Sequence, residues 1–583
     1  MKNSTSGISR RGFLTGAAAA GAIATLGLAG CAPKAQTDAV AEPDAPAAGA
    51  AAAPAATPAN DWLGTAPEIS DDQIASTRDC EVLIVGAGMS GIMAAATAAD
   101  LGVDFILAEK GTEPAASHFD VGAVNSRFTS ELTGQTIDKG RILNELNRYA
   151  SFKNDASVAK TWVEESGPTV EWLQAFYEDK LGACEVTVAV ENGGEGDAGG
   201  TIYYMPPECH TFLNGEGRNI AHVEAMTEIL GQMGHEVDYG YDLVKLIRQD
   251  GGRVEGAIFD TADGYVRVNA SKGVVLATGG YPANADMVRA LNPIVPACVT
   301  STNYNQNNTG MGIKAALWAG ADMDKTPAAM IFDRGIVEPG VDAGYTSDGP
   351  DAMFATGGQF NLGSQPFLKV SRNGVRIANE SCNYDSICHA ASNHPGGVWA
   401  LIMDANAPED VQRFKSQGCS AGTWKRTLKD KTVDEAYTEK YIDTGLMMKA
   451  DTLEELADKL GFEGKAKEQF LATIERYNEL YDAGEDVDMG KEAYRLSAIR
   501  TAPFYGAWFG GALLTTLDGL RINKDTQVLD ADANPIEGLC AVGTCSGSYY
   551  SGNYPVYLVG NCLGRQITFG RHAVRFLTGD IQA

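Results

Sequence analysis

The chain has 583 residues, 44% of them hydrophobic, which is enough for two or three domains with large cores. Its 75 acidic and 46 basic side chains leave a formal net charge of −29, which argues against nucleic acid or an anionic membrane surface as a partner. Eleven cysteines occur without any C-x-x-C, so no zinc site, iron–sulfur cluster or covalent c-type haem is expected, and no metal ligands are assigned.

From the N-terminus, Ser9-Arg10-Arg11-Gly12-Phe13-Leu14 has the form of a twin-arginine export signal. The apolar stretch after it is too short and weak for a stable membrane span. Leu28-Ala29-Gly30-Cys31 resembles a bacterial lipobox, in which the cysteine is lipidated and becomes the new N-terminus. Residues 1–31 are therefore expected to be a signal peptide. Residues 32–78 begin as an Ala/Pro-rich run without hydrophobic periodicity and are expected to form a flexible linker. The protein is expected in the cell envelope, touching the membrane only through a lipid anchor on the outer side of the cytoplasmic membrane.

Cys80–Lys110 is the most informative stretch. Val82-Leu83-Ile84-Val85 has the length and β-branching of a buried parallel strand. Gly86-Ala87-Gly88-Met89-Ser90-Gly91 follows as a G-x-G-x-x-G opening an Ala-rich helix, and Phe105–Ala108 reads as a second strand closed by Glu109 and Lys110. The glycines provide a tight turn, backbone approach to a pyrophosphate, and close helix–strand packing. The pyrophosphate would lie on the helix N-terminus, with Glu109 accepting hydrogen bonds from a ribose. With strand, helix, strand and acid in order, an adenine dinucleotide is the expected ligand. No second motif of this kind follows a strand, so reducing equivalents are expected from outside the chain.

Ser117–Ser126 (with Ser117, Gly122 and Ala123) is a small-residue loop placed near the dinucleotide, and its His118 is a candidate for covalent flavin attachment. A helical region follows at about 137–178, then a Gly-rich solvent loop at 193–200. Residues 219–288 read as strands and turns, with a hairpin pairing Leu243–Ile247 with Val254–Phe259. Val274–Gly280 is another buried strand, ending in Ala277, Thr278 and Gly279.

These motifs, with Asn308-Thr309-Gly310-Met311-Gly312, Val370–Glu380, Gly538–Gly543 and Gly560–Arg565, resemble the flavoprotein family of fumarate reductase and succinate dehydrogenase over residues 78–580. The resemblance implies FAD and an α/β fold: a Rossmann-like FAD-binding domain (79–320 and 507–583) with an inserted α+β capping domain (321–506). It also implies isoalloxazine contacts from Gly543, Thr544, Asn561 and Leu563, and adenine contact from the Leu243 backbone.

The chain departs from the fumarate pattern where a dicarboxylate would be clamped. Tyr384 stands where the family has its proton-donating arginine, Tyr554 at a second arginine, Tyr550 or Tyr549 near a histidine, and Pro327–Ile331 lacks a further histidine. Asn379–Tyr384 and Tyr554-Pro555 instead resemble 3-ketosteroid dehydrogenases of the same fold. A phenol can hydrogen-bond a neutral carbonyl and deliver a proton to carbon. The expectation is an FAD-dependent reductase of a C=C bond conjugated to a carbonyl in a small unsaturated substrate. Tyr384, Tyr554 and Tyr550 are its candidate catalytic residues. Electrons would come from a membrane-linked multihaem cytochrome or quinol system in anaerobic respiration. The alternatives are a ketosteroid-type dehydrogenase and a non-catalytic electron-transfer lipoprotein.

Overall fold

The computed structural model describes residues 62–115, 118–189, 204–249, 251–414 and 426–581. The export signature, Cys31, most of the expected linker, Ser117 and the Gly-rich loop lie outside them.

An eight-stranded sheet carries the dinucleotide motif. Its main path runs Gln527–Leu529, Pro535–Ala541, Gly264–Leu276, Ile74–Val85, Phe105–Glu109, Val237–Tyr239. The inner pairings are parallel, with Val82 beside Phe105 and Val85 beside both Ala108 and Leu276. Val82, Leu83 and Ile84 are wholly buried, as a strand with neighbours on both edges and cover on both faces requires. Strands from both ends of the chain build this sheet, because Pro535–Ala541 lies parallel to Gly264–Leu276.

The first strand begins at Ile74, inside the stretch expected as linker. Its opening residues are largely exposed but pair with Tyr265–Asn269. Backbone hydrogen bonding rather than apolar burial recruits them, so no hydrophobic signal marks them. The expected hairpin is present, with Leu243 opposite Phe259 and Leu246 opposite Ala257. Ahead of it, His222–Gln232 is a helix rather than strand and turn, burying Val223, Met226, Ile229 and Leu230 at helical spacing.

A six-stranded sheet forms around Phe504–Thr516, a 13-residue strand that pairs with Val299–Thr302, Ala329–Val337, Trp399–Met403 and Met447–Ala450. This sheet reaches beyond 321–506 at both ends. Its central strand carries the chain back towards the FAD-binding sheet, so layer and sequence boundary do not coincide.

Three buried acids make stability pH-dependent. Asp518 accepts hydrogen bonds from the Tyr281 hydroxyl (2.5 Å) and the Ala328 N–H (3.2 Å), and burial pushes its carboxyl up to about 8. Burial likewise raises Asp324 and Asp385 to about 7. A raised folded-state pKa gives stability that is complete below the unfolded value near 4 and lost as pH rises through 7–8. Burial lowers His210 and His222 to about 4, which gives the opposite slope below 6.5. Between pH 4 and 6.5 the two histidines offset two of the three acids, leaving a shallower fall from the third. From 6.5 to 8 the acids act alone, and Asp518 would contribute a loss of roughly 2 kcal/mol at about 1.4 kcal/mol per pH unit. Thermal denaturation should show Tm falling across that window in the wild type and falling less in Asp518→Asn.

Candidate functional site

The glycine loop is shaped by contacts that leave no room for side chains. Gly86 has φ +100°, and a Cβ there would stand 2.6 Å from the Ala277 carbonyl oxygen. One at Gly91 would stand 1.8 Å from the Gly86 oxygen. A Cβ on Gly88, by contrast, meets nothing within 4 Å. Gly88 is also the N-cap of helix Met89–Asp100 and provides no side-chain cap. The first-turn N–H groups therefore face open space, and the loop fits a pyrophosphate. Glu109, at the end of its strand, accepts the Ala87 and Gly111 N–H groups, both at 2.7 Å. The two backbone bonds fix a carboxylate whose remaining lone pairs can receive a ribose.

Other predicted residues gather around this loop. Ala277 donates its N–H to the Val85 oxygen (2.8 Å), and the Thr278 hydroxyl meets Cys545 Sγ at 3.3 Å. Gly279 lies against Asn308, and Gly312 against the Thr278 side chain. Gly543, starting the short turn Gly543–Cys545 that holds Thr544, packs on Ser90. Lys110 reaches the Thr309 hydroxyl at 3.4 Å. Leu243 opens its hairpin strand at the sheet's far side.

The helix Asn561–Thr578 closes the other end of the site. Its N-cap, Gly560, has φ +77° and no side-chain cap. Gly122 donates its N–H to the Gly560 oxygen (2.8 Å), and Ala123 donates to the Glu208 oxygen (2.9 Å), so the small-residue loop lies directly on this helix start. The Tyr550 hydroxyl donates to Asn561 Oδ1 (2.8 Å), while Asn561 Nδ2 donates to the Tyr549 hydroxyl (2.9 Å). Tyr550 is thus engaged in orienting Asn561. Tyr554 differs: its hydroxyl oxygen accepts the Cys562 N–H at 3.1 Å. Leu563 lies in the same buried first turn.

Tyr384 begins helix Tyr384–Ala391 and is buried, its ring edge-on to Phe332 at 5.8 Å. The next residue, Asp385, ties that helix to the tyrosine-rich loop. Its carboxylate accepts the Tyr554 N–H (3.0 Å) and the Tyr149 hydroxyl (2.9 Å), and Asn383 Nδ2 donates to the same Tyr149 oxygen (2.6 Å). One buried acid therefore ties the start of the Tyr384 helix to the Tyr554 backbone.

Sequence reasoning missed Arg334. It lies on strand Ala329–Val337, with its guanidinium 3.9 Å from the Phe332 ring centre and 5.7 Å from that of Tyr384. A charged pair, Asp333-Arg334, inside an otherwise apolar buried strand was the available signal. The search for a histidine at 327–331 stops three residues short of it. The Arg334 charge is also felt by His118 on the small-residue loop. Crowding lowers the pKa of that imidazole, Asp120 opposes the shift, and the Arg334 charge adds to it.

Comparison with known proteins follows the same lines. The family model described as FAD binding domain matches residues 81–563. The chain is 25% identical over 503 residues to a vinyl phenol reductase of Lactiplantibacillus plantarum, covering 85% of this chain and 95% of that protein. It is 24% identical over 499 residues to a fumarate reductase (cytochrome) of Shewanella frigidimarina, covering 85% and 76%. A 3-ketosteroid Δ1-dehydrogenase from Sterolibacterium denitrificans shares the fold, with a TM-score of 0.67 at 18% identity over 86% of this chain and all of that one.

Proposed function

The chain belongs to the FAD binding domain family, and from that premise we propose that it is an FAD-dependent oxidoreductase that saturates a C=C bond conjugated to a carbonyl. Its similarity to a vinyl phenol reductase and a fumarate reductase supports C=C reduction. The observation that supports the finer reading is that Asp385, next to Tyr384, accepts the Tyr554 backbone N–H and so ties the segment carrying one phenol to the segment carrying the other.

FAD, which the Gly86–Gly91 loop and Glu109 would hold, would supply hydride-transfer chemistry when bound. The chain's own residues would do the rest. Tyr554, its oxygen held by the Cys562 N–H, donates its hydrogen to the carbonyl oxygen and opposes the negative charge that develops there. Tyr384 protonates the α-carbon, completing addition of H⁻ and H⁺ across the double bond. Asp385, through the Tyr554 N–H, holds the second phenol in register with the first. Tyr550 supports the arrangement through Asn561.

The reducing equivalents would come from an external cytochrome or quinol system, consistent with the cytochrome-linked relative. Export by the twin-arginine route and a lipid anchor at Cys31 would place the protein beside such donors. Among the described residues no helix is long and apolar enough to cross a membrane.

The rival reading, dehydrogenation of a saturated ketone, draws on the shared fold and the Tyr554-Pro555 pair. Mixing oxidised holoprotein with saturated cyclic ketones, and reduced holoprotein with their enones, separates the two. The proposal expects the flavin absorbance to change only in the second mixture; bleaching in the first would favour the dehydrogenase.

A further inference from the structure

Arg334 is an unusual group to leave where it is. Its residue is only 9% exposed, and among the described residues it enters no ion pair. Nη1 reaches Asn361 Oδ1 at a long 3.3 Å, while buried Nε and Nη2 have no hydrogen-bond partner. Burying guanidinium N–H groups without acceptors is costly, so such a group in a cleft points to an acceptor that arrives from outside.

The surroundings say what kind. Strand alternation puts Phe332 and Arg334 on one face, towards Tyr384. The intervening Asp333 makes no ion pair with Arg334: that carboxyl is buried, accepts the Ser364 hydroxyl (2.7 Å) and feels the charges of Lys369 first and Arg334 second. The ring facing the guanidinium is that of Tyr384 on the cap helix, and the charged groups nearby are Asp333 on the same strand and, on the FAD-domain loop, the His118 imidazole, whose pKa the Arg334 charge helps to lower. One cation with two free N–H positions matches one planar carboxylate. The Phe332 and Tyr384 rings offer apolar surface to the remainder of the molecule.

We propose that Arg334 is the specificity-determining residue of this cleft, and that the substrate is an α,β-unsaturated monocarboxylate with an apolar or aromatic body. This rests on the reading of the cleft as the place of C=C reduction and narrows its acceptor from enones in general to enoates. The carboxylate takes the Nε and Nη2 hydrogens.

Binding separates this proposal from the redox reading. Oxidised holoprotein is titrated calorimetrically with 3-phenylpropionate and with its methyl ester, in wild type, Arg334→Gln and Arg334→Lys. The acid should bind at least tenfold more tightly than the ester in wild type. Arg334→Gln should weaken the acid by about 100-fold more than it weakens the ester, and Arg334→Lys should recover part of that difference, which excludes general misfolding. Equal binding of acid and ester, equal losses for both, or no binding of the acid would overturn the proposal. Reduced wild type is mixed in parallel with cinnamate and with 4-phenylbut-3-en-2-one. Reoxidation by the ketone without acid binding would sink the enoate assignment and leave C=C reduction standing. Acid binding through Arg334 with no reoxidation by either compound would do the reverse.

Discussion

Replacing Tyr384 by Phe should yield a yellow, folded protein whose steady-state reduction of its acceptor falls by about a thousandfold. A positioned general acid is worth roughly 10²–10⁴ in rate, whereas loss of one buried hydroxyl costs only about 1 kcal/mol of stability. The ring that packs edge-on against Phe332 is retained, so the cleft keeps its shape. Flavin content, Tm and substrate affinity should stay close to wild type while turnover collapses. Stopped-flow reoxidation of the reduced variant is the suitable measurement, because it isolates the step that needs the proton. Turnover within a few-fold of wild type would remove Tyr384 from the chemistry and direct attention to Arg334, the polar group found against its ring.

The second large effect separates the fold's use of glycine from the cofactor's. Gly88 has an ordinary extended conformation (φ −70°, ψ −174°), and a Cβ there meets no protein atom within 4 Å. Gly88→Ala should therefore fold with a Tm within a few degrees of wild type, since losing glycine at an N-cap costs about 1 kcal/mol, which shifts the Tm of a chain this large only slightly. Its FAD affinity should nevertheless drop by about 100-fold or more, since the space the methyl would fill is where the pyrophosphate approaches the helix N-terminus. Gly91→Ala should behave differently. Its Cβ would stand 1.8 Å from the Gly86 oxygen, so the loop itself must move, and both folding and flavin binding should suffer. Fluorescence titration of apoprotein with FAD, beside thermal denaturation, reads both outcomes. If Gly88→Ala bound FAD as wild type does, the pyrophosphate would have to lie elsewhere.

The parts legible in the sequence were those set by local rules. A buried parallel strand must be apolar throughout, a pyrophosphate loop must be glycine, and an acid closes the second strand; Cys80–Lys110 therefore declared itself. The hairpin at 243–259 was equally plain, having alternation and a Gly-Gly turn. Less visible was structure held by the backbone alone, such as Ile74–Asp79, where exposed polar residues join the sheet by pairing. The site was half legible. Tyr384 and Tyr554 stood out because they replace charged residues of the resembling family, but the bond that ties their segments, Tyr554 N–H to Asp385, joins positions 169 residues apart in the chain. No spacing rule brings those together. Arg334 was hidden for another reason: its meaning lies in the acceptors that it lacks, and only packing reveals those.

The proposed oxidant of this protein's reduced flavin is a double bond beside a carbonyl. Anaerobic titration of dithionite-reduced holoprotein with a library of conjugated enoates and enones, followed by the flavin absorbance near 450 nm and by product mass, addresses it directly. The account predicts that at least one member restores the oxidised spectrum at one equivalent per flavin and is recovered two hydrogens heavier. A reduced spectrum that no member alters, while a partner redox protein reoxidises it within seconds, would contradict the account.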